Sequence, residues 1–259
     1  MAINRAQLAK ELEPGLNALF GLEYKRYENE AAQIFEQESS DRAFEEEVML
    51  VGFGQANVKA EGSAVGFDTA SESFTARYTH ETIALAFALT EEAVEDNLYD
   101  TLSARYTKAL ARSMAYTKQV RGADVLNTAF ATTGGDGVTL ANTAHPTALG
   151  GTWSNRSATD ADINETSLEQ AMIDIAGYID ERGLKISMQG KKLIIPVNIQ
   201  FVVDRVLNST LRVGTADNDI NALKNMGMLA GGYTVNHYLT DTDAWFIKTD
   251  APNGFKHFT

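Results

Sequence analysis

Four carboxylates crowd one short segment of the sequence, LTEEAVEDN, and are candidates for acid–base chemistry. Glu91, Glu92, Glu95 and Asp96 could in principle work in pairs, as the acid and base of a hydrolase do. The same side chains fall at the predicted start of a helix, where the helix dipole stabilises negative charge. No nucleophile motif such as GxSxG accompanies them. We therefore predict that these carboxylates are structural.

The histidines and the other acidic groups do not have the spacing of a metal site. The four histidines are His80, His145, His237 and His257. None has a second histidine or a carboxylate at a metal-binding helical spacing. Asp217, Asn218 and Asp219 could contact calcium, but the spacing of a calcium loop is missing and a plain turn is favoured. The sequence has no cysteine, which excludes disulfides, thiolate metal sites and cysteine nucleophiles.

Two glycine-rich stretches lack the features of a nucleotide-binding loop. Gly52-Phe53-Gly54 has no third glycine that opens a helix, and TTGGDGV lacks the Lys-Ser/Thr pair of a phosphate loop. We predict that both are turns. The sequence thus predicts no catalytic residue, no metal ion and no cofactor.

The composition describes a soluble globular protein with an acidic surface. The chain has 259 residues, a formal net charge of −13 and 44% hydrophobic residues, and its mean hydropathy is −0.21. Affinity for phosphate comes mostly from clustered lysine and arginine, so this charge argues against a general nucleic-acid binder. No apolar run is long enough to span a bilayer, and the first residues do not resemble a signal peptide. We expect an intracellular product with no membrane partner.

One long helix dominates the predicted secondary structure. Large apolar residues alternate with alanines at Ile83, Leu85, Phe87 and Leu89, which predicts a strand that leads into the helix. Thr90 is the predicted N-cap, and the helix should run to Lys118, a length of roughly 40 Å. Its predicted buried stripe consists of Leu98, Leu102, Tyr106, Ala109, Leu110 and Met114. A helix of this length suits a plate-like subunit that tiles into a larger surface.

The segments before this helix are predicted to be an acidic arm and a long hairpin. Residues 3–47 have a helical rhythm, which Pro14 and Gly15 should break or kink. Residues 48–89 contain two extended stretches joined by a polar, glycine-containing tip, which predicts a hairpin. This hairpin has too few apolar residues to bury itself, so it is either mobile or laid over another molecule.

The rest of the chain mixes helices and strands without a βαβ rhythm, which favours an α+β fold. Residues 131–163 should be irregular. A helix should then begin at a capping box of Thr166 and Glu169, end at Gly183, and bury Leu168, Met172, Ile175 and Ile179. The further predicted elements are a strand at 192–197 that Pro196 ends, a helix from Asn198 to Leu207, and strands at 233–239 and 244–248.

Taken in this order, the segments resemble the major capsid protein of tailed bacteriophages, the Hong Kong 97 type of shell fold. The resemblance covers nearly the whole chain and rests on phrases such as LTEEAVEDN, DGVTLANTAHP, LIIPVNIQFVVDRVL and YLTDTDAWFI. It implies an N-arm at 1–47, an E-loop with its leading strands at 48–89, and a spine helix of the peripheral domain at 90–130. Residues 131–259 would form mainly the axial domain, with a return to the peripheral domain near the C-terminus, where we expect that residues are missing.

The resemblance also implies which residues contact neighbouring subunits. In the E-loop these are Lys59, Glu61, Phe67, Glu72 and Arg77, and in the N-arm they are Arg26, Glu28, Phe35 and Arg42. Some members of the fold cross-link a lysine to an asparagine of another subunit. Lys59 and Asn253 could be imagined as such a pair here, but an ordinary solvated lysine is favoured.

The leading hypothesis is a structural protein, not an enzyme, that self-assembles as pentamers and hexamers into an icosahedral shell around phage DNA. The DNA would be held by confinement, and the expected protein partners are portal, scaffolding and decoration proteins. The expected location is the virion, after assembly in the host cytoplasm. Two alternatives stay open: an encapsulin-like compartment filled with an enzyme cargo, and a carboxylate-using hydrolase with Glu92 and Asp96 at its site.

Overall fold

The computed structural model describes residues 9–88, 99–212 and 219–259. They divide into two compact units, the first from the described residues of 1–31 and 81–123, the second from 32–80 and 124–259. Helices and strands are both present, as the predicted α+β class requires. Within the described ranges, no helix combines the length and the apolar character that a membrane crossing needs.

Helix α1 of the first unit spans Ala9–Arg26. It ends in Lys25 and Arg26, whose positive charge is favourable at the C-terminal end of the helix dipole. The helix runs through Pro14 and Gly15, so the predicted break is wrong. A proline inside a helix removes one intrahelical hydrogen bond.

Helix α2 spans Ala31–Ile34 and helix α3 spans Tyr99–Asn127. The 29 residues of α3 extend for roughly 43 Å. The long helix is therefore confirmed, and it continues past Lys118 to Asn127, within the 90–130 range that the resemblance implies. Its predicted start at Thr90 lies outside the described residues.

The buried side of α3 is not the predicted apolar stripe. Tyr106 is 49% exposed and Ala109 is also exposed, while Leu98 and Leu102 lie outside the described side chains. Leu126, near the end of the helix, is buried. The other buried residues recur at every fourth position, and they are Ser103, Thr107, Ala111, Ala115, Gln119 and Ala123. Most of these side chains are small, which allows other segments of the first unit to approach the helix backbone closely. The stripe prediction is wrong for Tyr106 and Ala109, and Leu110 and Met114 are only partly buried. Apolar spacing does not record which face has a neighbour.

Gln119 is the large polar member of this buried stripe, and residues after α1 satisfy its carboxamide. Its Oε1 accepts a hydrogen bond from the Ala31 N–H at 3.1 Å, and its Nε2 donates to Asn29 Oδ1 at 3.0 Å. A buried polar side chain is stable when its donors and acceptors are paired in this way. The chain that follows α1 is thereby fixed to α3.

Residues 81–88, which we call the strap, lie along α3 and do not form the predicted strand. Glu81 makes an ion pair with Arg121 at 3.3 Å, and the Phe87 ring lies 5.9 Å from the Tyr106 ring. From Glu81 to Phe87 the strap advances six residues, while its contacts on α3 move back fifteen residues, from Arg121 to Tyr106. The strap is therefore nearly extended and runs antiparallel to α3. Within the described residues the strap has no sheet partner, and the strand prediction is wrong for 83–88. Leu89 lies outside the described residues.

The second unit begins with strands β1 (Glu36–Glu38), β2 (Phe44–Val51) and β3 (Ser71–Thr79). β2 and β3 pair antiparallel, which confirms the predicted hairpin. The predicted helix is wrong for residues 36–47. The acidic run before Val48 alternates between more and less exposed side chains once β3 lies beside it, as a strand does.

The remaining elements also belong to the second unit. The region 131–163 is largely irregular, as predicted, and its strands are a short antiparallel pair, β4 (His145–Pro146) and β5 (Thr152–Trp153). After it come α4 (Glu165–Ala176), β6 (Gly190–Pro196), a short 3₁₀ turn at Val197–Ile199, α5 (Gln200–Asn208), α6 (Ala222–Asn225), β7 (Tyr233–Asn236), β8 (Phe246–Thr249) and β9 (Lys256–Phe258).

The core of the second unit surrounds β6. This strand lies between β7, which is parallel to it, and β8, which is antiparallel. Leu193, Ile194 and Ile195 are each at most 1% exposed, so both faces of β6 are covered. Leu168 of α4 and Val203 of α5 pack into the same cluster. The strand prediction at 192–197 is confirmed with an earlier start, those at 233–239 and 244–248 are confirmed with shorter strands, and Pro196 ends β6 as predicted.

The predicted ends of two helices are wrong. Asn164, not Thr166, caps α4, because its side chain accepts from the Ser167 N–H while the Ser167 hydroxyl accepts from the Asn164 N–H. The helix ends at Ala176 with Gly177 as its C-cap, and Gly183 instead occupies a turn with a φ of +83°.

Two further residues were misplaced by the same local reasoning. Ile179 lies beyond the end of α4 and is 49% exposed. Asn198 lies inside the 3₁₀ turn and does not cap α5, which begins without a side-chain cap. The predicted buried face of α4 is confirmed for Leu168, Met172 and Ile175.

Candidate intersubunit surfaces

The connection between β2 and β3, residues 52–70, is the most exposed stretch of the second unit. Only Gly54 within it is partly covered. Phe67 is 99% exposed and Val58 is fully exposed, and both stand clear of their own chain. Lys59 and Glu61 are exposed in the same connection, at or beside a turn around Gly62, whose φ is +79°.

The two predicted contact residues on β3 differ in their surroundings. Glu72 is exposed and lies opposite Leu50 of β2. Arg77 is held across the hairpin, because its guanidinium donates to Glu46 Oε1 at 2.7 Å and lies 4.4 Å from the centre of the Phe44 ring. Its side chain is still 59% exposed, so the pair lies at the surface. All five predicted E-loop residues are therefore on one hairpin.

An ion pair fixes the base of this connection. The guanidinium of Arg182 donates to both carboxylate oxygens of Asp68, at 2.6 and 2.7 Å. The Gly54 and Thr69 N–H groups also donate to this carboxylate, each at 2.8 Å. The Gly54 hydrogen bond above all, together with Arg182, lowers the pKa of Asp68 from 3.8 to about 2. We call this arrangement the Asp68–Arg182 clamp.

Sequence reasoning missed the clamp. Asp68 and Arg182 are 114 residues apart, and nothing in either local sequence links them. Arg182 is positioned by its own turn, where Asp180 Oδ1 accepts from the N–H groups of Arg182 and Leu184. The clamp ties the exposed connection to the turn that follows α4.

The four predicted N-arm residues are divided between the two units. In the first, Glu28 is exposed, and the Arg26 side chain is 75% exposed and 3.8 Å from Glu23. In the second, the Arg42 side chain is 77% exposed and 3.6 Å from Glu45. Phe35 is buried at 8% exposure.

Phe35 packs against the C-terminal end of its own chain. Its ring lies 5.7 Å from the Phe255 ring, edge to face, and 6.3 Å from the His257 ring. Next to this contact β1 pairs in parallel with β9, and the Lys256 ammonium lies 2.5 Å from Glu47 and 3.6 Å from Glu38. The Glu47 hydrogen bond raises the pKa of Lys256.

One pair with possible chemistry, His145 and Asp136, was not expected. Nδ1 of His145 lies 2.6 Å from Asp136 Oδ2, and its ring stacks on Trp153 at 4.8 Å. Nε2 is buried and has no hydrogen-bond partner among the described residues. No group of three or more His, Cys, Asp or Glu side chains in the described ranges could hold a metal ion. The four carboxylates at 91–96, and Asp217 with Asn218, lie outside those ranges.

Comparisons with known proteins agree with this architecture. A family model described as phage capsid protein matches residues 73–259. No protein of curated function matches the sequence. The fold is similar to that of a procapsid of bacteriophage JBD30, with a TM-score of 0.62 and 13% identity over 92% of this chain and 100% of the other.

Two further solved structures are similar to this chain. A capsid of bacteriophage JBD30 matches with a TM-score of 0.59 and 10% identity, over 81% of this chain and 90% of the other. A capsid of the same phage decorated with minor capsid protein trimers matches with a TM-score of 0.58, 11% identity, and coverage of 80% and 90%. At these identities the likeness shows the fold. Because the family model spans well over half of the sequence, this chain belongs to the phage capsid protein family.

Proposed function

We propose that this chain is the major head protein of a tailed bacteriophage and that it self-assembles as pentamers and hexamers into an icosahedral shell around the DNA genome. The exposed connection at 52–70 is the observation that carries the proposal, because it occurs in a member of the phage capsid family. A large apolar side chain that no described residue of its own subunit covers is available to a surface from another molecule. A neighbouring copy supplies that surface in every position of a closed shell.

The apolar residues of the connection are the proposed anchors. Phe67 and Val58 are almost fully exposed, and burial of such a side chain stabilises an association by about 1.5–3 kcal/mol. Lys59, Glu61, Glu72 and Arg77 would surround them as the polar rim of the contact. Because each subunit both gives and receives this contact, modest contributions add over the whole shell.

The N-arm would add a second contact through Arg26, Glu28 and Arg42. The ion pairs of both arginines are exposed, and such pairs are worth about 0–1 kcal/mol, so a neighbour's carboxylate can replace the present partner at little cost. Phe35 would act indirectly, since it is packed against its own C-terminal strand.

We assign the domains of the shell fold by the order of the elements. The N-arm would comprise residues 1–47, the E-loop and its strands 48–89, and the spine helix of the peripheral domain 90–130. Residues 131–259 would form mainly the axial domain around β6, with a return to the peripheral domain near the C-terminus. The hairpin of β2 and β3 and the length of α3 support this assignment.

The proposed partners follow from the shell. The JBD30 capsid is decorated with minor capsid protein trimers, and we propose a decoration protein for this shell too, beside portal and scaffolding proteins. A subunit with a net charge of −13 is poorly suited to bind phosphate groups tightly. It would hold the packaged DNA by confinement.

Electron microscopy with light scattering on the purified full chain tests the proposal. We expect polyhedral shells, or rings of five or six subunits that convert to them. In Phe67→Ser, the loss of one anchor of about 1.5–3 kcal/mol should raise the concentration needed for assembly about tenfold or more, with an unchanged melting temperature. Gln55→Ser in the same connection is the matched control and should assemble normally. A chain that stays monomeric under all conditions, or equal assembly of Phe67→Ser, contradicts the proposal.

A further inference from the structure

The turn between β8 and β9 contains the one Asn-Gly dipeptide of the sequence, Asn253-Gly254. Both residues are exposed. Asn253 has a φ of +56°, one of three non-glycine residues in the described ranges with a positive φ. The turn therefore holds the asparagine in a backbone conformation that L-residues other than asparagine and aspartate seldom adopt.

The Gly254 amide is unprotected in this turn. Its N–H has no hydrogen-bond partner among the described residues, and a Cβ at Gly254 would meet only the Ala251 carbonyl oxygen, at 3.7 Å. The Gly254 nitrogen is therefore neither held by a hydrogen bond nor crowded by neighbouring side chains. A backbone nitrogen that is neither hydrogen-bonded nor shielded by a side chain is the group that attacks in asparagine deamidation.

We propose that Asn253 is a site of spontaneous deamidation. The Gly254 nitrogen loses its proton to water or base and forms a bond with Asn253 Cγ. The bond from Cγ to the side-chain nitrogen breaks, and that nitrogen leaves as ammonia with the proton. Water then opens the five-membered imide at one of its two carbonyl carbons and leaves either aspartate or isoaspartate. No oxidant or reductant takes part.

The isoaspartate product changes the path of the chain just before β9. It inserts one methylene into the backbone two residues before Phe255, whose carbonyl accepts from the Glu36 N–H at 2.8 Å. Phe255 also packs on Phe35 at 5.7 Å. The reaction therefore weakens the attachment of β9 to β1, and the C-terminal strand of an ageing subunit loosens.

A second asparagine with a small following residue provides an internal control. Asn208 precedes Ser209 and is exposed, but its Nδ2 donates to Asp204 Oδ1 at 2.6 Å. The Ser209 N–H, which would be the attacking nitrogen, donates to the Arg205 carbonyl at 3.2 Å. Asn208 should therefore stay intact under conditions in which Asn253 reacts.

Peptide mapping by mass spectrometry on the full chain, incubated at mildly alkaline pH, tests the proposal. We expect loss of ammonia and then deamidation in the peptide that contains Asn253, at a rate comparable to that of a synthetic peptide of residues 249–259. On a denaturing gel the subunit should still migrate as a single chain, which distinguishes deamidation from a covalent cross-link to Lys59. An intact Asn253 in the folded chain, while the synthetic peptide reacts, would overturn the proposal, as would equal reaction at Asn208.

Two variants link the chemistry to the turn. Gly254→Ala fits the available space and should slow the reaction several-fold, because the methyl group hinders the attacking nitrogen. Asn253→Gly accepts the positive φ and removes the side-chain amide, so it should abolish the reaction without loss of the fold. Hydrogen exchange should show faster exchange at 36–38 and 256–258 only in isoaspartate-containing chains. Unchanged exchange there would refute the proposed loosening of β9.

Discussion

The Asp68–Arg182 clamp shows how single side chains control an exposed loop. The connection at 52–70 contributes almost nothing to the core, yet its two ends are joined where Gly54 donates to Asp68 and Asp68 binds Arg182. The side chain of Arg182 is only 19% exposed, which limits its alternative positions. We infer that the clamp sets the direction in which the hairpin leaves its subunit.

Breaking the clamp should release the connection without unfolding the protein. In Arg182→Ala, we expect faster hydrogen exchange and faster proteolysis within 52–70, with a nearly unchanged melting temperature, because the clamp lies at the surface and outside the core. Lys185→Ala, which removes a positive charge from the same turn region outside the clamp, is the control. Equal protection of 52–70 in both variants would show that the clamp does not restrain the loop.

The clamp also predicts a pH dependence. The pKa of Asp68 is lowered from 3.8 to about 2, so the folded state binds this proton less readily than the unfolded state. The stability that the charged Asp68 carboxylate gives the folded state is complete above pH 3.8. It is lost as the pH falls through about 2. Protection of the Gly54 and Thr69 amides, which donate to Asp68, should persist below pH 3.8 and disappear near pH 2 when hydrogen exchange is corrected for the intrinsic rate. Loss of protection already near pH 3.8, the ordinary pKa of an aspartate, would contradict the lowered pKa of Asp68.

At the scale of elements, helix α4 offers a direct comparison between the observed N-cap, Asn164, and the predicted one, Thr166. Asn164→Ala removes the side chain that accepts from the Ser167 N–H and should lower the free energy of unfolding by about 0.5–2 kcal/mol. Thr166→Ala changes an exposed residue inside the helix and should have almost no effect. Chemical denaturation of both variants checks this. A larger loss of unfolding free energy in Thr166→Ala than in Asn164→Ala would show that Thr166 is the cap, as the sequence alone suggested.

The same helix contributes a core residue and an exposed apolar residue. Leu168 is fully buried in the cluster around β6, and Leu168→Ala should destabilise the chain by about 2–5 kcal/mol through lost burial and a cavity. Ile173, 64% exposed on α4, is the matched control, and Ile173→Ala should change the unfolding free energy by about 0.5 kcal/mol or less. Similar losses in both variants would mean that α4 does not pack as described.

At the scale of the whole molecule, the net charge of −13 opposes the proposed assembly. Identical acidic subunits repel one another, and salt shortens the range of that repulsion to about 8 Å at physiological ionic strength. Added salt should therefore lower the concentration at which shells form, as measured by light scattering. A rise of that concentration with salt would indicate that attraction between opposite charges, and not apolar contact, dominates the interfaces.

Local pattern was sufficient for the elements whose structure depends on their own residues. The apolar run KLIIPV specifies β6 and Pro196 its end, because a strand covered on both faces needs consecutive apolar residues. The alternation on either side of the polar tip predicts the hairpin, and the order of elements carries the likeness to phage capsid proteins. The contact residues of the hairpin and the arm are predictions that an assembly measurement tests.

Only the tertiary structure decided the features that depend on distant neighbours. β1 pairs with β9 across more than 200 residues, Asp68 meets Arg182 across 114, and the face of α3 that is buried is the one with small residues. None of these has a local signature, because a side chain's burial and ion partners depend on which other segments lie beside it. The sequence by itself determined the class of the fold, the long helix and the hairpin. The three-dimensional packing determined which surfaces are left for another subunit, since exposure is a property of the folded chain.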